Sequence, residues 1–141
     1  MIDITNKKKT KRVARAQAFV NLNKEILEKI RNKVMPKGDV LECARIAGIM
    51  AAKNTPNIIP LCHLIGIEKA DVAFVFKKNG IFIESVVRVI AKTGVEMEAL
   101  TAVTVAALTI YDMCKMFSKA IEIQDIYLLE KRGGKSGVYK R

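Results

Sequence analysis

The chain reads as an α+β domain in which an antiparallel sheet carries helices on one of its faces. Three observations predict this. Residues 14 to 22 alternate small or apolar side chains (Ala14, Ala16, Ala18, Val20, Leu22) with Arg15, Gln17, Phe19 and Asn21, the period of a strand with one buried face. Asn79-Gly80 separates two runs rich in Val, Ile and Phe, the pattern of a β-hairpin with a type I′ turn. Thr93-Gly94-Val95-Glu96 has the form of a capping box ahead of a long run that is apolar nearly all round.

The elements follow in order. The first strand is expected over about 14 to 22. Asn23 then caps a short helix whose apolar stripe is Ile26, Leu27 and Ile30, ending before Met35-Pro36-Lys37-Gly38. Asp39 caps a second helix with apolar positions Val40, Leu41, Ala44, Ala47 and Met50, joined by Cys43 and Ile46. Pro56 and Pro60 bracket a connector that should not continue the helix. The hairpin pairs a strand over 71 to 76 with one over 81 to 87. The long helix runs from Val95 to about Phe117, and its all-round apolarity predicts burial against the sheet and against another subunit. A last strand covers Ile121 to about Leu129. The order β-α-α-β-β-α-β matches a ferredoxin-like split βαβ with one extra helix, a fold that fixes no activity by itself.

Composition bounds the function classes. The 141 residues are 50% hydrophobic and 28% charged, which excludes a wholly disordered chain and predicts one domain over 1–141. No run approaches about 18 uninterrupted apolar residues, and no apolar stretch follows the basic N-terminus, so a soluble cytoplasmic protein is expected. The three cysteines, Cys43, Cys62 and Cys114, form no CxxC pair and are expected as reduced thiols. The net charge is +11, unevenly placed. Residues 1–37 carry 11 basic and 3 acidic side chains, 38–130 carry 9 and 11, and 131–141 carry 5 and none. The excess lies in a flexible basic N-terminal arm (about 1–12) and a glycine-rich tail (about 132–141), which points either to a polyanionic ligand or to a solvated surface.

Several residues could carry chemistry. The tail is no P-loop, because GxxxxGK[ST] would need glycine where Leu129 stands and no helix follows. It remains a loop whose glycines allow close approach and whose Lys135 can reach a phosphate. Cys62-His63 are sequence neighbours and His63 is the only histidine, so no zinc site is expected. Asp112 and Lys115, at i and i+3, share a helix face; they form either a buried-edge pair suited to proton transfer or a salt bridge closing the helix. Glu96 and Glu98 could recognise a base edge bearing an amino group, although Glu96 also fits the capping box. Glu98 lies 14 residues before Asp112, roughly 21 Å along a helix. Either the ligand is long or a neighbouring chain completes the site.

Seven blocks then converge on one family. Lys37-Gly38-Asp39-Val40, Ala44 to Ile49, Ala51-Ala52-Lys53, Ile59-Pro60-Leu61-Cys62-His63, Lys92 to Thr101, Ala106 to Lys115 and Gly133 to Gly137 resemble the molybdenum cofactor biosynthesis protein C (MoaC) family, the cyclic pyranopterin monophosphate synthases. The resemblance covers about residues 10 to 138. It implies a lyase that converts a cyclised dihydroguanosine triphosphate, made by a radical enzyme, into cyclic pyranopterin monophosphate and diphosphate. It also implies a homohexamer with sites at subunit interfaces. By motif match, Asp112 would be the catalytic acid/base, with Lys115, Lys37 and Lys135 as further catalytic residues. Leu61, Cys62, His63, Met97, Glu98, Glu96, Lys53, Arg12 and Arg15 would bind substrate. No tightly bound cofactor or metal is implied, Mg2+ entering only with the triphosphate, and neither a membrane nor a nucleic-acid partner. One departure stands out: the family pattern has proline after the Cys-His pair, where this chain has Leu64, so a looser or differently bonded turn is expected.

The rival reading from the residues is a nucleic-acid-binding ferredoxin-like module. It rests on the charge and on Phe74, Phe76 and Phe82 as stacking candidates, and lacks an RNP1-type motif. A purely structural subunit is the third reading.

Overall fold

A computed structural model describes residues 1–141. Its elements are β1 (Thr10–Asn21), α1 (Lys24–Arg31), α2 (Val40–Ile58), β2 (Lys69–Lys77), β3 (Gly80–Ala91), α3 (Glu96–Cys114), β4 (Glu122–Arg132) and β5 (Tyr139–Lys140). The strands form one antiparallel sheet in the order β2-β3-β1-β4-β5. Without β5, this is the split βαβ order expected, with α1 as the extra helix.

The alternation in β1 explains which face is covered. Ala14, Ala16, Ala18 and Val20 are all fully buried and share a core with Ala99, Ala102, Val103, Ala106, Ala107 and Ile110 of α3. Small residues on both sides let the helix lie close on the sheet. Gly48 does the same between α2 and α3, since a Cβ there would stand 2.9 Å from the Ala102 carbonyl and 3.1 Å from a Val72 methyl. Although α3 is long and apolar enough to cross a membrane, it is the central core helix of this domain.

Four local expectations are corrected. The hairpin turn is Lys78-Asn79, with Lys77 paired to Gly80, and neither Asn79 nor Gly80 has positive φ, so it is not type I′. Gly80 is required there for a different reason: a Cβ would run into the Val20 carbonyl and the Phe19 ring on β1. The Thr93–Glu96 capping box does not form. Burial of Val95 sets the start of α3, so Val95 is the N-cap without a side-chain cap bond, and Glu96 is already helical. Third, α2 continues through Pro56. The proline falls in the last turn, where it removes a single bond to the Ala52 carbonyl; Asn54 and Thr55 donate side-chain bonds to the Met50 and Ala51 carbonyls just before it. Finally, β1 begins at Thr10 and the tail returns as β5, so Arg12 belongs to the sheet and the C-terminus to its edge.

Candidate active site

Two hollows adjoin at the N-terminal end of α3. The first, about 230 Å³, is lined by Leu61, Cys62 and His63 from the α2–β2 connector, by Glu96, Met97 and Glu98 from the first turn of α3, and by Ile2, Ile4 and Lys7. The second, about 630 Å³, is lined by no apolar residue; Lys7, Lys8, Arg12, Lys131 and Lys135 surround it with Thr10, Gly134 and Ser136. Lys7, Thr93, Gly94 and Glu96 line both, so the two form one cleft. Eight of the residues expected at the site, Leu61, Cys62, His63, Glu96, Met97, Glu98, Arg12 and Lys135, therefore meet. Lys7, Lys8 and Lys131 join them unforeseen. Their only signal was the terminal charge excess, which did not single out individual lysines.

The acidic compartment is dry for its carboxylate. Glu98 is 2% exposed, and burial, reinforced by nearby Glu96, raises its pKa although a backbone hydrogen bond opposes the shift. Burial first, then the Glu98 charge, raises the Cys62 thiol, which argues against a thiolate nucleophile. His63 donates from Nε2 to the Ile2 carbonyl at 2.8 Å. Leu64 points its side chain to solvent, and its N–H bonds no group in the chain, so a proline there would forfeit nothing. Of the looser or differently bonded turn expected at Leu64, the structure shows a bond, which ties His63 to the segment before β1.

In the basic compartment, Arg12 donates from Nη2 to the Lys92 carbonyl (3.3 Å), while its Nε is buried without a partner. Gly133 and Gly134, both at positive φ, wrap closely around this side chain; a Cβ on Gly134 would collide with the guanidinium. The glycine-rich tail thus forms the seat of an arginine.

The other end of α3 carries a separate cluster. Asp112 accepts from Lys115 at 2.7 Å and from Lys37 at 2.8 Å, and Lys37 also reaches the Asp112 carbonyl at 3.0 Å, one of those the helix end leaves free. Gly38, at φ +98°, makes the turn that aims Lys37. The hydrogen bond from Lys115, then that from Lys37, lowers Asp112 to about 2, and Asp112 in turn raises Lys115. Of the two readings of this pair, the structure gives the salt bridge at the helix end and not the buried-edge pair: the Asp112 and Lys115 side chains are 54% and 51% exposed, so contact rather than burial sets their ionisation. Beneath them Cys114 is buried and its thiol pushed up to about 11.

Two expected residues lie apart. Even-numbered β1 positions face the helices, so Arg12 and Arg15 point to opposite faces of the sheet. Arg15 is engaged on the outer face by Glu84 (3.0 Å) and Glu130 (3.3 Å). Lys53 sits on the exposed side of α2, lining neither hollow and pairing with nothing in the chain. Nor do the phenylalanines form a stacking platform. Phe74 and Phe76 lie under Arg45 and Arg31, whereas Phe82 is opposite Phe19 in register on the other face.

The MoaC family model matches residues 1–134. The chain belongs to the MoaC family. Among its relatives, the cyclic pyranopterin monophosphate synthase of Listeria innocua is 54% identical over 141 residues, covering 99% of this chain and 88% of the relative. That of Desulfitobacterium hafniense is 55% identical over 142 residues (100% and 87%), and that of a Thermoanaerobacter species 51% over 143 (100% and 90%).

Proposed function

We propose that this MoaC family member is a cyclic pyranopterin monophosphate synthase of molybdenum cofactor biosynthesis, acting in the cytoplasm on a cyclised dihydroguanosine triphosphate. The observation that carries the reading beyond its relatives is the cleft itself, in which an acid-lined pocket opens directly onto a larger basic hollow. A guanosine-derived ligand has the same two halves. Glu98 and Glu96 accept from the amino-bearing edge of the base, beside Leu61, Cys62, His63 and Met97. Arg12, Lys135, Lys131, Lys7 and Lys8 receive the phosphates and neutralise the charge that develops as diphosphate leaves. A sugar hydroxyl attacks the α-phosphorus, forming one P–O bond and breaking the bridging P–O bond, whose electron pair departs with diphosphate. The hydroxyl proton passes to a base, and further protons move as the purine skeleton opens and recloses.

Those transfers fall to Asp112, Lys115 and Lys37. On one chain they stand at the far end of α3 from Glu98, roughly 21 Å away on a straight helix. We therefore assign the complete site to two copies of the chain within a homo-oligomer, a hexamer by family resemblance. Lys53 joins from the exposed side of α2, and Arg15 serves the sheet's outer face rather than the substrate. No resident cofactor enters this reading, and Mg2+ accompanies the triphosphate alone.

Co-expression tests the shared site. Assayed at substrate well below KM, Asp112→Asn and Glu98→Gln, each poorly active alone, should complement when mixed in one assembly, because about a quarter of randomly assembled two-chain sites receive both native residues. Turnover of the cyclised triphosphate, followed by pyranopterin and diphosphate together, should recover to that level. Absence of rescue in a mixed oligomer would place both residues of each site on one chain and overturn the assignment.

A further inference from the structure

The segment before β1 is tied across the cleft at two points that the reaction chemistry does not explain. His63 holds the Ile2 carbonyl, and Lys92 donates from Nζ to the Thr5 carbonyl at 2.8 Å. Between these anchors Ile4 is half-buried on the wall of the acidic pocket. The segment is itself folded, with the Thr5 N–H on Asp3 Oδ1 (2.8 Å) and the Lys7 N–H on the Ile4 carbonyl (3.0 Å). Lys92 lines neither compartment itself but directly precedes Thr93 and Gly94, which line both. Its carbonyl takes the Arg12 guanidinium while its ammonium takes the strap.

We propose that Lys92 is a positioning residue that latches residues 2–7 over the acidic pocket as a lid for the base, at the same point where its carbonyl orients Arg12 in the basic hollow. This rests on the functional reading above and adds a role for Lys92 and residues 2–6, which contribute no proton or phosphate contact. The strap supplies an apolar rim through Ile2 and Ile4, and its docking fixes Lys7 between the compartments. A short peptide segment held by two charged or polar side chains opens readily, so it can admit a ligand and close over it.

Lys92→Met keeps the stem and the backbone carbonyl and removes only the donor; Lys92→Arg restores a donor. In the intact oligomer, amide hydrogen exchange over residues 2–8 should quicken about tenfold in Lys92→Met, with α3 unchanged, and return toward wild type in Lys92→Arg. KM for the cyclised triphosphate should rise several-fold, with kcat within about twofold. Unchanged exchange in Lys92→Met would overturn the latch. Faster exchange with unchanged KM would overturn its role as a lid, and a lower KM would show the strap competing with substrate, overturning it equally. A folded wild type that does not turn over the cyclised triphosphate would break the functional reading instead, and the exchange comparison would still decide the latch.

Discussion

The two ends of α3 hold carboxylates in opposite states. At the N-terminal end Glu98 is buried beside an apolar wall and a second acid, which raises its pKa. At the C-terminal end Asp112 is exposed and gripped by two ammonium groups, which bring it down to about 2. Only the first placement agrees with the helix dipole, which favours an acid in the first turn; Asp112, in the last turn, opposes it and is compensated by Lys115 at the C-cap and by Lys37. Environment rather than residue type separates a carboxyl suited to hold a neutral, hydrogen-bonding partner from one kept charged among lysines. The lysine contacts also bind Asp112 so well that, in one chain, it is a weak base. Acting as one at neutral pH requires substrate or a second copy to draw an ammonium away.

The largest effect should come from breaking the charged end. Asp112→Asn should lower kcat at least about a hundredfold, measured by diphosphate release, while the fold stays intact. Retained turnover would move the proton transfers to other groups.

Changing the buried end should separate binding from stability. Glu98→Gln should raise KM about tenfold through loss of a charged acceptor for the base edge. It should also raise Tm near neutral pH. The sign follows from the raised pKa: the folded chain holds the Glu98 proton more tightly than the unfolded chain. Stability from that proton is full below the ordinary glutamate pKa and falls as pH rises through the folded value. The Tm advantage of Gln should therefore shrink as the solution is acidified toward pH ~4. A gap independent of pH would assign it to packing.

A change midway should strike both ends alike. Gly48→Ala pushes a Cβ toward the Ala102 carbonyl and should cost about 1–3 kcal/mol in urea unfolding. Loss of activity at one end alone would show that α3 does not move as a rigid unit.

The smallest effect concerns which lysine dominates. Lys115→Met should raise the Asp112 pKa more than Lys37→Met does, read from the carboxyl carbon in an NMR titration. Native Asp112 contributes stability above its ordinary pKa and loses it as pH falls through about 2; this contribution is solvent-screened and should fade with added salt.

Much of this was legible along the chain, for reasons that differ by region. The period of two in β1, the apolar run of α3 and the Asn23 and Asp39 caps are local patterns; both caps form, accepting from Ile26 and Glu42 at 2.9 and 3.1 Å. The capping box and the type I′ turn were also local patterns, yet each yielded to packing, of Val95 into the core and of Gly80 against β1. Lys115 and Asp112 were paired by helical spacing alone, but Lys37 reaches the pair only through the fold, 75 residues away in sequence.

Sequence alone determined the sheet-forming pattern, the family blocks and the location of the charge, because these depend on residue type and near-neighbour spacing. Tertiary structure decided which basic residues face the cleft, that Arg12 and Arg15 part to opposite sides of one strand, and that Glu98 is dry while Asp112 is wet. Those outcomes depend on long-range pairing and burial, which set the electrostatic environment of a side chain and leave no mark on its immediate neighbours in the chain.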